Sequence, residues 1–145
     1  MTGIDWHLHP MMVHFPIALF ISAMIFEAVS LCLRRDILHR TALHIYTLAA
    51  ILTPLAVQTG LWEAEELNLH HPVLEIHERF ALWTMWLALV SLPVLGFTLK
   101  KFTKAFRPVF IIFLIAIVAC LTVTAYNGGR MVFEYGVGVG EEQHD

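Results

Sequence analysis

Charge is scarce in this chain. Asp, Glu, Lys and Arg make up 14% of its 145 residues, against about 25% in an ordinary soluble domain. The formal net charge is −3, and no basic patch is present, which argues against nucleic acid as a partner. Cysteine is scarcer still, with only Cys32 and Cys120. The two fall at different depths of the segments described below, which argues against a disulfide, because bridged Cα atoms lie within about 7 Å. Each reads instead as a small apolar residue. Also missing are a nucleophile–base arrangement, a phosphate-binding glycine loop and a CxxCH haem-attachment motif. A standalone hydrolase, a kinase and a c-type cytochrome are therefore not expected, and an electron-transfer or accessory subunit fits better than a standalone enzyme. The N-terminus lacks the basic region and small-residue cleavage site of a signal peptide, so the first apolar run is expected to be retained as a helix.

Apolar residues are abundant, at 58% of the chain. Four runs, at about 10–33, 41–62, 79–99 and 107–126, have the roughly 20 apolar residues needed to cross a bilayer. The expected fold is a single all-α domain over 1–145, an integral-membrane four-helix up-down bundle. Arg34, Arg35 and Arg40 lie between the first two helices, and Lys100, Lys101, Lys104 and Arg107 between the last two. That is seven of the nine basic residues on one side, the cytoplasmic side by the positive-inside rule. Asp5, the stretch Glu63–Glu66 and the tail Glu141–Asp145 then face outward, with both termini in the periplasm of a bacterial inner membrane. Trp6, Trp62, Trp83, Phe133 and Tyr135 fall near the same outer boundary, where aromatic side chains favour the interface. The segment Tyr126–Gly140, with five glycines, reads as a turn and a short extended stretch folding over the outer mouth as a lid.

The nine histidines are not scattered. Seven of them (7, 9, 14, 70, 71, 77 and 144) are on the outer side, and only His39 and His44 are near the inner face. The first helix enters as "HPMMVHFPIAL" and the third as "HPVLEIHERFAL". Each carries His-Pro, then a second histidine, then the membrane run, which suggests a parallel repeat of a two-helix unit. With Pro10 and Pro72 opening their helices, His14 and His77 lie roughly 6–8 Å further in, at matching depth. In an up-down bundle the first and third helices are diagonal partners, with axes roughly 12–14 Å apart. That gap suits two imidazoles on opposite faces of a haem iron. His14 shares its stripe with Ala18, Ile21, Ile25 and Ala28, and His77 shares one with Ala81, Thr84, Ala88 and Ser91, small residues that leave room for a macrocycle. His9, about 140° round the helix from His14, is expected to bond a haem propionate or a partner, or to cap the helix. Pro16 is expected either to bend the first helix or to mark where it becomes regular.

Glu27 is a carboxylate inside a membrane run, where a charged group needs a partner. Its depth matches that of His44, which is the expected neighbour and hydrogen-bond partner. His70 and His71 read as loop residues. Arg79 and Arg130 are the outer arginines, expected in interfacial salt bridges or against a propionate. The inner side supplies no second histidine pair for a two-haem ladder.

The start "HPMMVHFPIAL", "TGLWEA" (Thr59–Ala64), His77 at the opening of the third helix, and "NGGRMVFEYGVGV" near the end resemble a bacterial family of predicted small membrane proteins called domain of unknown function 2231. The resemblance implies a four-helix membrane domain, joined in some members to cytochrome c-type modules, and hence electron transfer. By position, the family's motif histidines fall on His9, His14 and His77. The leading expectation is a b-type cytochrome-like protein with one haem b on His14 and His77, serving other membrane or periplasmic redox subunits and a quinone. Two alternatives stand beside it. One is a non-haem copper, zinc or iron site built from His9, His14, His71 and His77 with Glu75 or Glu78. The other is a structural subunit of a larger membrane complex.

Overall fold

The computed structural model describes residues 8–66, 70–101 and 106–136. Within these residues the chain forms α1 (Leu8–Leu33), α2 (Asp36–Glu66), α3 (Pro72–Lys101) and α4 (Arg107–Phe133). Each contains a stretch long and apolar enough to cross a membrane. The shortest has 26 residues, or about 39 Å at 1.5 Å per residue, so the helices outreach a hydrocarbon core of about 30 Å. Their ends therefore stand in the interfacial zone, where polar side chains act.

The helices exceed the apolar runs at several ends, and local chemistry explains where they stop. Asp36 opens α2, a carboxylate in the first turn favoured by the helix dipole. Pro72 opens α3, and the preceding His71 caps it, its Nδ1 accepting the Val73 N–H at 3.2 Å. At the end of α1, Arg34 takes a left-handed conformation with φ 53°. The Arg35 N–H reaches back to the Ser30 carbonyl at 3.3 Å, the six-to-one bond of a Schellman turn. α1 runs unbroken through Pro16, and Pro54 and Pro93 lie inside α2 and α3. The lid expected at Tyr126–Gly140 is not what forms first: Tyr126–Phe133, with Asn127, Gly128 and Gly129, continue α4, and Glu134 caps it through its N–H on the Arg130 carbonyl. Residues 137–140 lie outside the described residues.

α1 packs most closely on α2 and α3 on α4, and contacts between α2 and α3 and between α1 and α4 close the ring. α1 and α3 are thus diagonal partners. The core is built from small residues that let backbones approach, Ala23, Ala42, Ala49, Ala50 and Ala88, around three aromatic rings. Tyr46 meets Phe20 and Phe110 edge-on, each at 5.3 Å between centroids, and its hydroxyl pairs with Ser91 Oγ at 2.7 Å. Outside, large apolar side chains such as Phe15, Trp86 and Ile112 are left exposed. An apolar exterior over a core holding several polar groups suits lipid as the surrounding medium. The chain is a multi-pass all-α membrane bundle. Cys32 and Cys120 are both free thiols.

Candidate functional site

At the end of the bundle where α1 and α3 begin, two histidines from diagonal helices come together. Starting α1 at Leu8 puts His9 on the helix and turns it toward the bundle. Its Nδ1–H donates to the Ala56 carbonyl of α2 at 3.0 Å and lies 3.4 Å from Thr59 Oγ1. Thr59 Oγ1 in turn donates to the same carbonyl at 2.9 Å. The Nδ1–H of His77 donates to the Thr124 carbonyl of α4 at 2.8 Å. A carbonyl can only accept, so both rings carry their proton on Nδ1, and a neutral ring then leaves its lone pair on Nε2. The two rings lie 6.2 Å apart between centroids and nearly perpendicular, at 86°. Among the described residues, neither Nε2 has a hydrogen-bond partner.

Two glycines make room for this arrangement. A Cβ on Gly60 would stand 2.6 Å from His9 Cε1, and one on Gly128 would stand 3.2 Å from His77 Cε1. Each imidazole therefore lies against bare backbone on the second helix of its own hairpin. All four helices contribute to the site, although its visible chemistry is two rings.

These rings suit a metal-centred ligand. Imidazole nitrogen sits about 2.0–2.1 Å from a bound metal, so two ring centres on opposite sides of one ion stand roughly 6.3 Å apart, close to the separation here. A backbone carbonyl on the far nitrogen is the usual second-shell partner of a ligating histidine, fixing its tautomer and orientation. No group of three or more His, Cys, Asp or Glu that could hold an ion occurs among the described residues. A zinc-type site draws three or four ligands from the protein, whereas haem brings four nitrogens of its own and asks for two.

The other expected residues are placed as follows. His14 is exposed, its ring turned back onto the Pro10 carbonyl, so the structure brings His77 to His9 and leaves His14 apart. The five-residue step from His9 turns His14 about 140° round the helix, away from the bundle. His71 is occupied in capping α3 and lies 4.2 Å from the Tyr135 ring. Glu75 and Glu78 line an open cleft of about 250 Å³ with Glu65, His70 and His71, and neither His9 nor His77 lines it. Arg79 is exposed. Arg130 pairs with Glu134 at 2.8 Å and donates to the Tyr135 hydroxyl at 3.1 Å, the interfacial salt bridge expected for it.

The opposite end holds a second polar cluster, and here the expected Glu27–His44 pair is corrected. Glu27, 3% exposed, accepts from His39 Nδ1 at 2.6 Å and from Arg107 Nε at 2.7 Å. Arg107 also donates to Ser30 Oγ at 2.8 Å, and Ser30 Oγ to the Arg35 carbonyl at 2.9 Å. His44 is exposed and bonded to the Arg40 carbonyl at 2.6 Å. With α2 beginning at Asp36, His39 shares a face with Ala42, Leu43 and Tyr46, all buried, and His44 lies off it. Sequence reasoning missed Arg107, treating it as one of several loop cations. Its signal was its place directly before Pro108 at the mouth of the fourth apolar run.

A family model described as predicted membrane protein (DUF2231) matches residues 6–141. No curated protein matches the chain, and no solved structure does.

Proposed function

Since the chain belongs to the DUF2231 family of predicted membrane proteins, and its described residues form a membrane bundle that brings two histidines of diagonal helices together, we propose that it is a b-type cytochrome-like electron-transfer protein holding one haem b between His9 and His77. The observation that carries this reading is the paired imidazoles, 6.2 Å apart, each with its Nδ1–H on a backbone carbonyl and its Nε2 unpartnered among the described residues. Bis-histidine ligation leaves no open position on the iron, and so suits electron transfer rather than oxygen chemistry. When bound, the group would supply a reversible one-electron couple. The chain's own residues hold the two ligands in register: the Ala56 and Thr124 carbonyls orient the rings. The basic residues between α1 and α2, and between α3 and α4, support a topology with the histidine end at the periplasmic face of a bacterial inner membrane. There it would exchange electrons with a periplasmic carrier and a quinone or membrane subunit.

The test is the absorption spectrum of the full chain purified in detergent. A Soret band is expected in the wild type and in His14→Ala, and its loss or conversion to a five-coordinate form in His9→Ala and His77→Ala. A colourless protein that takes up no haemin sinks the haem reading. A band that survives in His9→Ala but vanishes in His14→Ala sinks the ligand assignment.

A further inference from the structure

A single step of 68 positions carries one hairpin of the bundle onto the other. It takes residue 9 to 77, the paired histidines; 56 to 124, the carbonyls that hold them; and 60 to 128, the glycines under their rings. The buried faces obey the same step. On α1 and α3, Phe20 corresponds to Ala88, Ala23 to Ser91 and Glu27 to Leu95; on α2 and α4, Ala42 corresponds to Phe110, Tyr46 to Leu114 and Ala49 to Ile117, and all twelve are buried. A register wrong by one residue would turn a helix by about 100°, so these pairs fix the alignment without a gap. Size also alternates, with Phe20 against Ala88 and Ala42 against Phe110, as when two halves interdigitate across a shared core. α1 and α3 run in the same direction, so the halves form a parallel repeat around an axis along the bundle. The match suggested by the two His-Pro motifs paired His14 with His77; the structural equivalent of His77 is His9.

The two poles of this axis differ. At the arginine end the step takes His39 to Arg107, and both donate to the single carboxylate of Glu27, whose own counterpart is Leu95. That pole is chemically closed. At the histidine end the equivalents are identical and, among the described residues, their Nε2 atoms have no hydrogen-bond partner. We propose that the histidine end is a bipartite binding site made of two copies of one ligand-holding unit, and that Gly60 and Gly128 are positioning residues that set the separation of the imidazoles around one metal-centred ligand. In each unit the first helix of a hairpin gives the imidazole, and the second gives a carbonyl and, one turn on, a glycine. The identity of the ligand as haem rests on the function proposed above; the two-unit construction does not.

The experiment uses the full chain in detergent with Gly60→Ala, Gly128→Ala and Gly129→Ala. Gly129 is the control, because nothing lies within 4 Å of a Cβ there, while its helical position matches that of its neighbour. Two readouts are taken: 15N spectra of the histidines in mildly alkaline buffer without added ligand, and haemin titration. The wild type is expected to show His9 and His77 as neutral rings protonated on Nδ1. Gly60→Ala is expected to remove that signature from His9 alone and to weaken haemin binding about 10–100-fold, the usual effect of losing a second-shell support. Gly128→Ala, whose added methyl stands further from its ring, gives a smaller loss confined to His77, and Gly129→Ala gives none. Unchanged His9 signals and haemin affinity in Gly60→Ala overturn the proposal, as does a Gly129→Ala loss equal to that of Gly60→Ala. If the wild type takes no haemin but the histidine signals respond as stated, the haem reading fails and the two-unit site stands.

Discussion

Glu27 carries a charge that the apolar interior cannot solvate, and its two oxygens are taken one each by His39 and Arg107. Removing one partner of a buried ion pair leaves the other uncompensated, which costs about 3–5 kcal/mol. Arg107→Ala is expected near the low end of that range, because the Arg107 side chain is 21% exposed and water reaches it in part. Replacing both residues, as Glu27→Leu with Arg107→Leu, is expected to recover most of the loss. Denaturation midpoints of the full chain in detergent check both; a double variant no more stable than Arg107→Ala contradicts this account of the cluster. The need of Glu27 for a partner was legible in the sequence, since a membrane carboxylate without one is untenable. Which histidine served was not. His39 and His44 lie five positions apart, about 140° round the helix, so only one of them can share the face of Ala42, Leu43 and Tyr46 that packing buries. The same interval separates His9 from His14. α1 begins at Leu8 rather than Pro10, which brings His9 onto the helix, and the face that packs on α2 is that of His9; His77 keeps its role with a different counterpart.

At the scale of the element, the membrane spans were readable because roughly 20 apolar residues leave a helix as the one way to satisfy the backbone in lipid. The ends were harder. Outside the hydrocarbon they depend on single residues: Asp36 in a first turn, His71 as a cap before Pro72, and Arg34 in a left-handed turn. None of these raises hydropathy. Apolar residues all round α1 and α4 also hide which face is buried, so the site-bearing stripe could not be read from periodicity. Arg34 gives a direct check. An L-residue in the left-handed conformation costs about 1–2 kcal/mol relative to glycine, and the Arg34 side chain is exposed, with no bond among the described residues to offset it. Arg34→Gly is expected to stabilise the protein by about 1 kcal/mol, read as a raised denaturation midpoint. A lowered midpoint would show that the turn is held by something other than backbone geometry.

The whole molecule is two hairpins facing each other across a common axis, closed by ions at one pole and carrying paired imidazoles at the other. The diagonal relation of α1 and α3 followed from four spans and short connections, and it is what allows one ligand to be gripped from opposite sides. The equivalence of the hairpins was only half visible in the sequence. The His-Pro motifs suggested a repeat in a shifted register, because carbonyls and glycines one turn apart on a second helix leave no readable motif. Because the arginine pole is filled by Glu27 and its partners, the account allows a single bis-histidine site per chain. The haem content of the wild-type protein, purified in detergent after expression with haem precursor and measured against protein concentration, tests this most directly. One haem per chain is expected. A ratio of two, or a protein that stays free of haem even after haemin is added, contradicts it.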